Sequence, residues 1–188
     1  MRRIRLIVSY DGTNYCGWQI QENAVTVEGT LTDALRKWLK EDIEIIGASR
    51  TDSGVHAYGN IAVFDTNSRI PSEKFAIGLN HYLPDDIRVQ KSDEVESDYH
   101  PRYRNTEKMY EYTILNTKIN LPIYSRYSYH VYHPLDFEVM KEAAALLVGE
   151  HDFSAFCSAG SQVKSKVRTI YEVSPVSYTH LTLPTNRE

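Results

Sequence analysis

Cysteine is nearly missing from this chain. Cys16 and Cys157 are the only two; they lie far apart and in no metal pattern. Neither a disulfide framework nor a structural metal site is therefore expected. The seven histidines show no ligand spacing either. No apolar run approaches the roughly 18 residues that a membrane-spanning helix needs. The N-terminus, Met1-Arg2-Arg3-Ile4-Arg5, begins with charge, and the apolar stretch after it is too short and broken for a signal peptide. These absences point to a reducing cytoplasm, with no structural metal and no membrane span. Long low-complexity tracts are missing too. So is a net basic charge: the formal balance is −4, and bulk electrostatics do not announce a nucleic-acid binder.

What is present is a chain of 188 residues, 41% apolar, enough for one large packed domain or two small ones. Its charge is locally uneven. Arg2, Arg3 and Arg5 cluster; Arg102, Arg104 and Lys108 surround a single Glu107; Lys164, Lys166 and Arg168 alternate with no acid between them. Such clusters are usually solvated faces. Three of them beside fourteen tyrosines raise the prospect of a surface for phosphate contact and base stacking.

Periodicity orders the first half. Arg3 to Tyr10 alternates charged and apolar residues, as a strand does. Thr26 reads as an N-cap, and Val27, Leu31, Ala34, Leu35, Trp38 and Leu39 fall at helical spacing. The apolar runs Ile43–Ala48 and Ile61–Phe64 read as short buried strands. Pro71-Ser72 opens a second helix, Pro84 ends it, and Ile87 to Val95 is a fourth strand. The order β-α-β-β-α-β predicts an α+β, ferredoxin-like (split βαβ) unit, an antiparallel sheet with helices on one face, over residues 1–97.

The second half, 98–176, begins as another α/β unit. Strands are expected at Met109–Asn116, Tyr127–Tyr132 and Val167–Val173. A helix is expected from Pro134-Leu135-Asp136, with Gly149 at its C′ position.

The chain is organised around Arg50-Thr51-Asp52-Ser53-Gly54-Val55-His56-Ala57, a polar link between two buried strands. It places one carboxylate, Asp52, on a tight turn that a rigid sheet can hold in position. An Asp on such a turn most often only caps it. Here the residues reach a resemblance that reverses this reading. The stretch resembles the R-T-D-x-G-V-H-A signature of the tRNA pseudouridine synthase A family. Tyr10-Asp11-Gly12 with Gly17-Trp18-Gln19, Asn80 with Leu83-Pro84-Asp85-Asp86-Ile87, Lys108-Met109-Tyr110-Glu111-Tyr112, Gly149-Glu150-His151-Asp152-Phe153 and Arg168-Thr169-Ile170 resemble further family segments, in order.

The resemblance implies a pseudouridine synthase fold and isomerisation of uridine to pseudouridine without cofactor or metal. It implies uridines at positions 38 to 40 of the tRNA anticodon arm as substrate, and a homodimer. Asp52 is then the catalytic nucleophile or base. Arg50 holds the flipped-out nucleotide, or else only pairs with Asp52. Tyr110 stacks on the target base, while Tyr112 is a core aromatic. His56 fixes the loop by hydrogen bonds. Trp18 reads as RNA contact or core. Arg102, Arg104 and Gln19 are candidate RNA contacts.

The competing reading is a non-catalytic RNA-binding module, since RNA-recognition domains share this topology. The K/R-G-F/Y-G/A-F-V pattern of those domains is not found here. A third reading is an inactive, incomplete synthase. The resemblance stops near Val173 to Val176, and the tail 177–188 resembles nothing in the family at that position and reads as foreign or disordered.

Overall fold

The computed structural model describes residues 1–103, 107–157 and 165–177. It is a mixed α/β structure dividing into two compact units, Met1–Tyr110 and Glu111–Glu188. Among the described residues there are three α-helices, and none is long and apolar enough to cross a membrane.

The first unit is built on a four-stranded antiparallel sheet in the order β2-β3-β1-β4. Its strands are β1 (Arg2–Tyr10), β2 (Ile45–Gly47), β3 (Ala57–Thr66) and β4 (Ile87–Val95). The helices are α1 (Val27–Leu39) and α2 (Lys74–Asn80). Alternation in β1 turns Ile4, Leu6, Val8 and Tyr10 inward, where they join Val27, Leu31 and Leu35 of α1 and Phe75 and Leu79 of α2 in one buried cluster. Thr26 caps α1, its side-chain oxygen accepting the Gly29 N–H at 3.2 Å. β3 is longer than its apolar run predicts because pairing with β1 extends it to Ala57 and Thr66.

Both ladders of β1 slip near the same end. The register with β3 shifts between Val8 and Tyr10, and the register with β4 between Ile7 and Val8. Bulges of this kind bend a strand and re-aim the residues beyond it. Here they lie where β1 runs into the segment beginning at Asp11.

The arginines of β1 correct one expectation, Arg3 and Arg5 among them lying on the sheet face away from the core. The Arg2, Arg3 and Arg5 cluster is not an open cationic patch. Arg2 pairs with Glu94 at 2.7 Å, Arg3 grips Asp65 through two bonds of 2.8 and 2.7 Å, and Arg5 pairs with Asp93. Register puts Arg3 opposite Asp65 on β3 and Arg5 opposite Asp93 on β4. Cross-strand neighbours neutralise one another at this range. The segment after β4 crosses this face as well: Arg3 donates to the Tyr99 carbonyl at 2.9 Å, and the Arg5 guanidinium lies 5.7 Å from the Tyr99 ring centre.

The second unit holds a parallel pair, β5 (Ile114–Asn116) with β6 (Tyr129–Val131), an antiparallel pair, β7 (Gly149–Asp152) with β8 (Val167–Ile170), and α3 (Phe137–Ala145). Asp136 caps α3, accepting from the Glu138 and Val139 N–H groups at 3.1 Å. The helix ends at Leu146, so Gly149 is not its C′ residue; with φ +113° it opens β7. Among the described residues of this unit only Leu115 and Ala144 are buried apolar side chains.

The Arg3–Asp65 pair makes a pH-dependent contribution. Bonding from Arg3 holds the Asp65 carboxyl below its ordinary range. A depressed carboxyl stabilises the fold in full above its unfolded pKa, about 3.9, and the contribution is lost as pH falls through the lower folded value. Urea unfolding from pH 7 to pH 2 should therefore show Asp65→Asn less stable than wild type near neutrality. The gap should close as pH falls below about 4.

Candidate active site

Between β2 and β3 the chain makes a tight loop. The Val55 N–H donates to the Asp52 carbonyl at 3.2 Å, and Gly54 takes the left-handed φ of +78° that the turn requires. Arg50, Asp52 and Ser53 are exposed. Neither the Asp52 carboxylate nor the Arg50 guanidinium has a hydrogen bond or ion pair among the described residues. The two are not paired with each other, which removes loop-ordering by that pair as the role of Arg50.

The loop is instead ordered by its flanks. On the side leading in, the Asn60 side chain takes both polar groups of Ser49: it accepts the Ser49 N–H at 3.2 Å and donates to the Ser49 carbonyl at 3.1 Å. Tyr10 and Thr51 share a hydroxyl–hydroxyl bond of 2.8 Å, and the Trp18 N–H donates to the Thr51 carbonyl at 3.0 Å. Burial pushes the Tyr10 phenol above its usual range, opposed by bonds from Thr51 and Asn60.

On the side leading out, the Tyr15 carbonyl accepts from the Gly54 N–H at 3.2 Å and the Ser53 hydroxyl at 3.3 Å. His56 Nδ1 lies 3.1 Å from the Gly12 N–H and 3.0 Å from Asp11 Oδ1. A neutral Nδ1 accepts from Gly12; a proton there turns the same atom to Asp11. In either form His56 holds the loop to the turn after β1.

The contact is close enough to dictate sequence. A Cβ on Gly12 would lie 2.1 Å from the Val55 carbonyl oxygen. Gly17 has φ +86°, and a Cβ there would lie 2.6 Å from the Thr51 oxygen. A third segment supports the second from behind. Asp86 accepts from the Tyr15 hydroxyl at 2.6 Å and the Asn14 amide at 3.3 Å, and its carbonyl accepts the Asp11 N–H at 2.9 Å. Tyr10-Asp11-Gly12, Gly17-Trp18, the Asp52 loop and Pro84–Ile87 therefore form one contiguous constellation, although they are scattered through the first 87 residues.

The remaining candidates divide. Arg102 Nε donates to the Gly47 carbonyl at 2.8 Å, and Lys108 Nζ lies 3.5 Å from the Ala48 carbonyl. The basic connection thus returns to the base of the Asp52 loop, and one donor of Arg102 is committed there. Tyr110 lies two residues beyond Lys108 and is 83% exposed. Neither Tyr110 nor Tyr112 is in a strand. β5 starts only at Ile114 because its partner β6 is three residues long. Tyr112 is consequently no core aromatic but 82% exposed. Gln19 is exposed, and Trp18 is fully buried and belongs to the core. Arg104 lies outside the described residues, as do Lys164 and 178–188 of the tail.

Sequence reasoning missed Asn60, Tyr10 and Asp86 as supports. Asn60 carried a signal: a residue type depleted in strands, followed at once by a buried apolar run. Substitution at Gly17 tests the clamp. Gly17→Ala combines positive-φ strain with overpacking against backbone, and should cost about 2 kcal/mol or more in urea unfolding. A loss under about 0.5 kcal/mol, the range of an ordinary surface change, would show that the two segments are not held this closely.

Comparison with known proteins places the chain in a family. A sequence model of the family described as tRNA pseudouridine synthase matches residues 6–104 and 143–183. A tRNA pseudouridine synthase A of Thermoanaerobacter sp. (strain X514) is 49% identical over 174 residues, 93% of this chain and 71% of the relative. The protein of that name from Acetivibrio thermocellus is 51% identical over the same share of each chain. That from Caldicellulosiruptor saccharolyticus is 46% identical over 172 residues, 92% of this chain and 70% of the relative. With a family model matching most of the chain and this breadth of identity, the chain belongs to the tRNA pseudouridine synthase family.

Proposed function

We propose that this chain isomerises uridine to pseudouridine in tRNA, with Asp52 as the reacting carboxylate. One observation carries the reading: an exposed carboxylate without a partner among the described residues, on a loop anchored through both flanks. A carboxylate that merely capped its own turn would spend its oxygens on local N–H groups. This one is left to face solvent, or a substrate.

The reaction is an isomerisation, so no atom is gained or lost. The N-glycosidic bond breaks, the base turns, and a carbon of the ring bonds to the sugar. The ring proton it displaces returns to solvent, and the nitrogen released takes one up. An ionised Asp52 can serve in two ways. It can attack the sugar or base covalently and later leave, or it can remove a sugar proton while the base is expelled. Both require a base that has left its stack.

Arg50, exposed beside Asp52, suits the displaced nucleotide or its phosphate. Tyr110 offers an exposed ring for the target base. Gln19, Arg102 and Arg104 are assigned to RNA contact, Arg102 through the donors not used on Gly47. The anticodon arm, at positions 38 to 40, is the substrate site, and a cytoplasmic homodimer is the assembly. The element order β1-α1-β2-β3-α2-β4 with strand order β2-β3-β1-β4 supports reading residues 1–97 as a split βαβ, ferredoxin-like domain. Residues 98–176 are read as the second domain.

The test is incubation with an unmodified tRNA transcript and mapping of pseudouridine. Site-specific formation in the anticodon arm is expected; binding without conversion would favour the RNA-binding module. Asp52→Asn is nearly isosteric and should remove turnover while leaving RNA binding and folding intact. Turnover near the wild-type rate would overturn the assignment. Stacking on one base is worth about 1–3 kcal/mol, so Tyr110→Ala should slow turnover about tenfold or more. Tyr110→Phe should suffer less. Equal damage from both would show that the hydroxyl, rather than stacking, is what acts.

A further inference from the structure

The register of the sheet shows where the Asp52 loop begins. β2 pairs with β3 from Ile45 opposite Phe64 to Gly47 opposite Ala62, and the Ala48 N–H still donates to the Ile61 carbonyl at 2.7 Å. Continued by one residue, this register sets Ser49 opposite Asn60. There the ladder ends and a side chain takes over. Asn60, only 7% exposed, supplies an acceptor to the Ser49 N–H and a donor to its carbonyl. A carboxamide offers both groups at once, on separate atoms spaced to meet the N–H and the carbonyl of one residue.

We infer that Asn60 is a positioning residue for the reaction: its carboxamide grips Ser49 and so sets the direction in which Arg50-Thr51-Asp52 leaves the sheet. The inference rests on the functional reading above. Several features support it. The grip is one residue before Arg50 and three before Asp52. The Tyr10 hydroxyl bonds to the Thr51 hydroxyl at 2.8 Å, so the residues on both sides of Arg50 are held by side chains that are themselves buried. A group that touches no substrate can still set the rate this way, because small misplacements of a reacting atom are costly.

The fold contains its own control. Asn80 grips Val89 by the same device, accepting its N–H at 2.8 Å and donating to its carbonyl at 3.0 Å. That grip belongs to β4, on the far side of β1 from the β2–β3 pair. Removing either carboxamide deletes the same two bonds, and only one of them lies beside Asp52.

The experiment compares Asn60→Leu, which keeps size and removes both bonds, with Asn60→Asp, which keeps only the acceptor, and with Asn80→Leu. Amide hydrogen exchange is measured on each full chain, with kcat and KM on an unmodified tRNA transcript. For Asn60→Leu, exchange at Ser49 should rise about tenfold or more. Its kcat should fall about tenfold or more while KM changes less than about twofold, the pattern of a lost transition-state geometry. Asn60→Asp keeps the acceptor for the Ser49 N–H, so exchange there should stay protected while its kcat falls between those of wild type and Asn60→Leu; that kcat serves in place of Asn60→Leu if the latter does not fold. Asn80→Leu should raise exchange at Val89 and lower kcat several-fold less than Asn60→Leu does.

Wild-type exchange at Ser49 in Asn60→Leu overturns the inference. So does an unchanged kcat, or an equal loss of kcat in Asn80→Leu, which would make the effect one of general stability. A wild-type chain that makes no pseudouridine overturns the functional reading, and this inference with it. That failure appears before any variant is compared, so the two are told apart.

Discussion

The contact between the Asp11–Trp18 segment and the Thr51–His56 loop is the constraint on which the rest of the site depends. An exposed polar loop has little apolar burial of its own to order it, and fixing each residue costs about 1–2 kcal/mol of conformational entropy. The loop recovers this through backbone bonds to Trp18, Tyr15 and Gly12 and through the side chains of Asn60 and Tyr10. None of these partners needs Asp52 or Arg50. The supporting groups are satisfied among themselves, and the two charged groups remain available. That division is what a reactive site on a rigid support requires.

Close approach has consequences in sequence. Two backbones can lie this near only if side chains are removed between them, and Gly12 and Gly17 are where they are removed. The segment they belong to must itself be held, and Asp86 does so through Tyr15, Asn14 and Asp11. The bulges in β1 lie at the same end of the sheet. Strand irregularity, glycine placement and one half-buried carboxylate thus serve a single geometry.

Electrostatics are organised by the same register. The row of arginines on β1 meets Asp65 and Asp93 directly across the sheet and is neutralised there. Net charge and local clustering are therefore poor guides to an RNA surface in this chain. Arg102, half a domain away in sequence, is drawn to the Gly47 carbonyl at the foot of the Asp52 loop. A positive residue in a basic cluster can be structural support and charge donor at once, because a guanidinium has several donors and one bond uses only one of them.

Much of this protein was legible in its sequence. The alternation of Arg3 to Tyr10, the Thr26 cap, the spacing of Val27 to Leu39 and the limits of β4 are local properties, and backbone periodicity decides them. The tight turn at Asp52 was legible too, because Asp-Ser-Gly is a local turn signal and Gly54 supplies the positive φ. Tertiary structure decided the rest. Tyr110 and Tyr112 have the pattern of a strand, but a strand forms only where a partner pairs, and β6 reaches no further than Ile114. The arginine row looks cationic until its neighbours across the sheet are known. Asn60 looks like a strand defect until Ser49 is set opposite it. In each case the deciding group lies far away in sequence, and no local pattern carries the identity of a partner that only folding brings near.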